Sequence, residues 1–299
     1  MLEEFDLYAA SLPPLDPRPM TGEALVLRAI LLLARVTQSP PWIGHLGTQL
    51  APFAEPFPRR RFAAQGPLSD GEAVAGGVAL ALAGSSGGGE WHHIPDHLRK
   101  RALQEDAGHA SAMTGPFLIE CGLANSKPAL IEAGVARLHH GTTGWTALAL
   151  CDAFSLIDEA ADQDHALSRE FLAVLTKHAA PLELRMRDML GGLLERQGPE
   201  GSWPGGSGID LVTETALHLF VLREAERLDI GPEDGGREGS GTEILAAPIA
   251  AAEAFLTTAL PPGTLASAAP ATIGARMMGE ALRIAARRDS AMHSYFDYV

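Results

Sequence analysis

Residues 104–158 read QEDAGHASAMTGPFLIECGLANSKPALIEAGVARLHHGTTGWTALALCDAFSLID, and their periodicity decides the fold. Ala112, Met113, Phe117, Leu118 and Cys121 recur at spacings of three and four, as on one face of a helix. Leu130, Ala133, Val135, Ala136 and Leu138 do the same after a short turn, and Trp145, Leu148, Ala149, Ala153, Phe154 and Ile157 do so after a second. The first and third helices are almost wholly apolar or small, which suits elements covered on most sides. The middle one alternates Glu132 and Arg137 with its apolar stripe, as a helix with one wet face does. An inner helix, an outer helix and another inner helix make the repeat unit of an α/α toroid.

The rest of the chain repeats that unit. A helix is predicted from about Thr21 to Thr37, with Thr21 placed to cap it, after a proline-punctuated lead-in through Pro19. Trp42 to Phe53 reads as its outer partner, and Asp70 to Ala83 as a second inner helix, whose Gly and Ala content permits close packing. Pro95 to Leu103 is an outer segment. Ser168 to Arg196 is a long outer one with a break expected near Ala180-Pro181. Leu211 to Leu228 and Ala269 to Arg288 complete six inner helices, with Ile244 to Leu260 an outer helix between them. Residues 231–241 are polar and glycine-rich and read as a mobile loop. No strand alternation competes. The expectation is one all-α domain over residues 1–299, an (α/α)6 barrel of six hairpins.

Composition sets the outer bounds. A chain of 299 residues, 46% hydrophobic, buries roughly three quarters of the surface it exposes unfolded. A net charge of −14 argues against nucleic acid and requires that any anionic substrate meet a local basic or hydrogen-bonding site. The longest apolar run, Ala24 to Val36, is interrupted by Arg28 and Arg35 and is too short to span a bilayer. The opening residues are acidic rather than signal-like. Cys121 and Cys151 fall in apolar helical runs and read as buried free thiols, which points to a reducing, cytoplasmic setting.

Glu72, Trp91, His92, His109, Trp145, Trp203 and Glu214 all stand at or just before the starts of inner helices. In a toroid such starts share one mouth, so polar and aromatic groups concentrate on the rim where a pocket is expected. Each also has a plainer reading, since helix starts favour acids for capping and aromatics plug barrel ends.

Four stretches resemble the unsaturated glycuronyl hydrolases of glycoside hydrolase families 88 and 105. Gly87–His93 (GGGEWHH) resembles their glycine–Trp–His turn, and His109–Gly122 (HASAMTGPFLIECG) their DxxxMxxPF helix. Gly141–Ile157 resembles their GW-containing helix, and Leu193–Ile230 their loop with a GxW element and the helix after it. The resemblance covers about residues 70–230, in order. It implies an enzyme that hydrates the C4–C5 double bond of a terminal unsaturated uronic acid by carboxyl acid–base chemistry, without metal or cofactor. Residue by residue, it places His109 where that family has its catalytic Asp, with Asp106 one turn earlier. The second acid falls on Glu72 or, with a small slip, on Asp70. Trp91, His92, Trp145, Trp203 and Glu214 are the candidate substrate contacts, and a small carbohydrate the expected ligand.

His109 also has two readings, an imidazole suited to proton transfer near neutral pH or a hydrogen-bonded rim residue. No His or Cys spacing matches a zinc pattern. Leu193–Gly206 (LLERQGPEGSWPGG) also resembles the Gln–Trp repeat of terpene cyclases and prenyltransferase-like toroids, without their DxDD acid motif and with only 6% aromatic residues. A barrel that only binds a ligand or partner is the third reading.

Overall fold

The computed structural model describes residues 2–14, 21–54, 67–84, 93–105, 110–139, 143–162, 169–204, 210–232, 243–261 and 263–287. Among them there are twelve α-helices and no strand. The helices are α1 (Leu2–Ser11), α2 (Thr21–Thr37), α3 (Pro40–Ala54), α4 (Asp70–Gly84), α5 (His93–Ala102), α6 (Thr114–Ala124), α7 (Pro128–Ala136), α8 (Gly144–Asp162), α9 (Arg169–Glu195), α10 (Leu211–Arg227), α11 (Ala246–Ala259) and α12 (Pro270–Arg287). A 3-10 turn, Glu243–Leu245, leads into α11.

The even-numbered helices touch in succession. α2 packs on α4, α4 on α6, α6 on α8, α8 on α10 and α10 on α12, and α12 returns to α2 in the most extensive helix contact among the described residues. The odd-numbered helices pack against these, α3 on α2, α5 on α4 and α6, α7 on α6, α9 on α8 and α11 on α10. Three neighbouring pairs, α2 with α12, α4 with α6 and α8 with α10, run parallel, because their paired positions rise together. Gly22 meets Ala271 and Gly274 meets Leu25 and Val26; Gly76 meets Phe117 and Gly77 meets Glu120; Gly144 meets His218 and Ser155 bonds Glu224. Helices α6 and α7 run antiparallel, with Gly115 against Leu138 and Gly122 against Ile131.

Glycine sets the closeness of these crossings. A Cβ at Gly274 would stand 2.7 Å from the backbone of Leu25 and Val26. Alanine there gains about 1 kcal/mol of helix propensity, but the overpacking, at about 1–3 kcal/mol, exceeds it. The apolar side chains so gathered form one connected buried cluster.

Two departures from the sequence reading are informative. The lead-in before Pro19 contains a helix, α1, which buries Phe5 and Ala9 and carries Glu3 and Glu4 at its positive end. Helix α9 does not break at Pro181. Pro181 is exposed, so the carbonyl it deprives of a partner can turn to water. Phe171, Leu175, Leu182, Met186, Met189, Leu190 and Leu193 keep one buried stripe on both sides of it. No helix among the described residues is long and apolar enough to cross a membrane.

Candidate functional site

His109, Asp106, Trp91, His92 and residues 233–241 of the glycine-rich loop lie outside the described residues. The remaining candidates at the helix starts are held by close partners. Ser69 and Glu72 form a capping box at the head of α4, the Glu72 N–H donating to Ser69 Oγ and the Ser69 N–H to Glu72 Oε2, each at 3.1 Å. Arg101 Nη1 of α5 donates to Glu72 Oε1 at 2.7 Å. Burial pushes the Glu72 carboxyl up, but Arg101 and Ser69 outweigh it and hold it below its ordinary value. Glu72 is therefore an ionised strut between α4 and α5, with little tendency to carry a proton near neutrality.

Asp70, two residues earlier, points to another neighbour. Its Oδ1 accepts the Ser111 hydroxyl and, at 3.2 Å, the Met113 N–H, which ties the head of α4 to the lead-in of α6. Trp145 is half-buried against the core. Trp203 is a buried plug whose indole N–H donates to the Leu193 carbonyl at 2.7 Å. Its ring meets His218 edge-on at 5.2 Å, and His218 Nε2 lies 3.4 Å from Glu214 Oε1, one turn back on α10. Burial pushes the His218 imidazole down to about 3, so it sits beside Glu214 uncharged.

The loop between α9 and α10 carries its motif residues as braces. Gln197 Nε2 donates to the carbonyls of Gly201 at 3.0 Å and of Pro248 on α11 at 2.9 Å. Gly201 has φ +88 and its Cα faces the Ala251 backbone of α11, so no side chain fits.

A cavity of about 70 Å³ lies deeper, between α2, α4, α6 and α8, with room for about five waters. Each helix offers it one face at helical spacing: Arg28, Leu31, Leu32 and Arg35 from α2; Ala73, Val74, Gly77 and Val78 from α4; Met113, Pro116, Phe117 and Glu120 from α6; Asp152, Ser155 and Leu156 from α8. Two acids and two arginines thus stand in a lining that is otherwise apolar except for Ser155. Arg28 Nη2 donates to Asp152 Oδ1 in a close ion pair. Asp152 Oδ2 is buried with no hydrogen-bond partner among the described residues. Gly77 makes room for Glu120, since a Cβ there would stand 2.7 Å from Glu120 Oε2.

Burial pushes both acids up. Glu120 is raised to about 7, against the attraction of Arg35 and Arg28 and with the help of the Asp152 charge. Asp152 is raised to about 7 by burial and by Glu224, with Arg28 opposing. Because Asp152 alone of the two contacts a guanidinium, it is the better carboxylate and Glu120 the better acid. Ser155 is fixed beside them, donating to Glu224 Oε1 at 2.9 Å and accepting from Arg227 Nη2 at 3.0 Å. The sequence did carry a signal for this site. Arg28 and Arg35 are seven apart in an apolar run, and Glu120 and Asp152 are lone charges on apolar helix faces. Such residues face inward only if something inside receives them.

Cys121 and Cys151 are buried free thiols, and burial raises both above the ordinary thiol range. They are inert as nucleophiles on that account. Among the described residues no three His, Cys, Asp or Glu side chains are grouped to hold a metal ion. In comparisons with known proteins, no family model, curated protein or solved structure matches the chain.

Proposed function

We propose that the six even-numbered helices form an (α/α)6 barrel whose inner cavity is a general acid–base site for a small anionic substrate of the unsaturated uronic-acid type. The return of α12 onto α2 and the parallel run of three neighbouring pairs of even helices support the barrel. One observation carries the chemistry: two carboxyls raised to about 7 face the same cavity as two arginines. In a chain of net charge −14, Arg28 and Arg35 supply the local positive site that an anion requires.

Hydration of a carbon–carbon double bond needs a proton on one carbon and the oxygen of water on the other. Glu120, protonated below about 7, is the proton donor; Asp152, also raised to about 7 but paired with Arg28, takes in its ionised form the proton released by the water. The two carboxyls exchange protonation states in the step and reset by proton transfer through the cavity. Arg35 receives the substrate carboxylate. On this reading the helix-start residues Glu72 and Asp70 build the mouth, and proton transfer belongs to the deeper pair.

The test is spectroscopic. Purified protein incubated with a panel of lyase-generated unsaturated disaccharides is expected to remove the ultraviolet absorbance of the conjugated double bond for at least one of them. A folded protein that leaves every member unchanged would contradict the hydrolase reading and favour a barrel that binds without reacting.

A further inference from the structure

A second cavity, of about 190 Å³, lies between α10, α11 and α12, away from the acid–base site. Its charged lining consists of Arg223, Arg276 and Arg283 with Glu253 and Glu280. The two acids are each engaged by one arginine. Arg223 Nη2 donates to Glu253 Oε1 at 2.6 Å, and its Nη1 to Glu226 Oε2 at 2.9 Å. Arg283 grips Glu280 with two nitrogens, Nε to Oε2 at 2.7 Å and Nη2 to Oε1. Glu280 is four residues beyond Arg276, the usual helical partner position, yet it is turned towards Arg283.

Arg276 is the remaining cation. It is half-buried, its Nε is buried without a hydrogen-bond partner, and no ion pair reaches it among the described residues. Burial lowers its affinity for its proton, while Glu253 and Glu280 act on it from a distance. A half-desolvated guanidinium without an acceptor is unfavourable, and a fork of this shape is completed by a planar two-oxygen acceptor. Gly279, where a Cβ would meet nothing, and Ala275 line the same groove, and Phe220 offers it an apolar wall.

We propose that this groove is a binding site for a small monocarboxylate, held by the Arg276 guanidinium with its apolar body against Phe220. Arg223 and Arg283 are already met by Glu253, Glu226 and Glu280, which leaves Arg276 as the one positive charge of the lining without a carboxylate in contact among the described residues. A single carboxylate neutralises it, whereas a phosphate dianion would carry its second charge towards Glu253 and Glu280.

Calorimetric titration of the full chain with benzoate tests this. Saturable one-to-one binding is expected, weakened at least tenfold in Arg276→Gln and retained in Arg35→Gln, which alters the other cavity. Inorganic phosphate is expected to bind more weakly than benzoate. Arg276→Lys keeps the charge without the fork and is expected to weaken binding as well, so it serves if Arg276→Gln does not fold. Absence of saturable benzoate binding, unchanged affinity in either folded Arg276 variant, loss in Arg35→Gln, or tighter binding of phosphate would each overturn the assignment.

Discussion

Urea unfolding of Asp152→Ala at neutral pH is expected to show a loss of about 3–5 kcal/mol, the usual consequence of removing one partner of a buried ion pair. The Asp152 side chain is 5% exposed and that of Arg28 20% exposed. Alanine therefore leaves a guanidinium in an apolar lining with its direct counter-charge gone. The loss should come mostly from Arg28 being stranded. Replacing both partners by apolar residues, Arg28→Met with Asp152→Leu, should accordingly recover most of it. A loss below about 1 kcal/mol in Asp152→Ala would mean that Arg28 needs no direct counter-charge, and the pair would not be the buried ion pair described.

The second large effect is on turnover. Glu120→Gln is expected to reduce hydration of an unsaturated uronide by about a hundredfold or more, the size of a general-acid contribution, with the fold intact. Stability and activity separate here because of the direction of the pKa change. Below its ordinary value of 4.5 the carboxyl is protonated in folded and unfolded chains alike. Between there and about 7 the folded chain holds a proton that the unfolded chain has released, so stability falls as pH rises through that window. Glutamine has nothing to ionise, so Glu120→Gln should be at least as stable as the unmodified protein at about pH 8. Equal turnover in the two proteins would remove Glu120 from the chemistry.

What could be read from the sequence follows from which forces act locally. The sequence reading bounds α2 at Thr21 and Thr37 as observed, and α4, α10 and α12 to within one residue, because an apolar face at 3.6-residue spacing is written directly in the chain. Helix α1 was hidden by the prolines that follow it, its two buried residues, Phe5 and Ala9, being too few to make a periodic signal. The continuity of α9 depends on which way Pro181 faces, which only packing decides.

The site was harder for a different reason. Motif comparison favours positions at helix starts, and there it selected Glu72, Asp70 and Trp203, whose geometry ties helices and a loop together. Arg28, Glu120 and Asp152 belong to three helices far apart in the chain, and their meeting depends on the closeness of helix crossings that glycines at 76, 77 and 274 permit. Each was visible singly as a charge on an apolar face; their convergence was not.

The acid–base site depends on Glu120 carrying a proton near neutrality. This is tested most directly by infrared titration of the carboxyl-stretch region, unmodified protein against Glu120→Gln. A protonated-carboxyl band with a midpoint near pH 7 is expected in the unmodified protein, with Asp152 contributing to it, and the Glu120 share of that band, seen in the difference between the two proteins, is lost in Glu120→Gln. A difference spectrum with no carboxyl titrating above about pH 5.5 would contradict it.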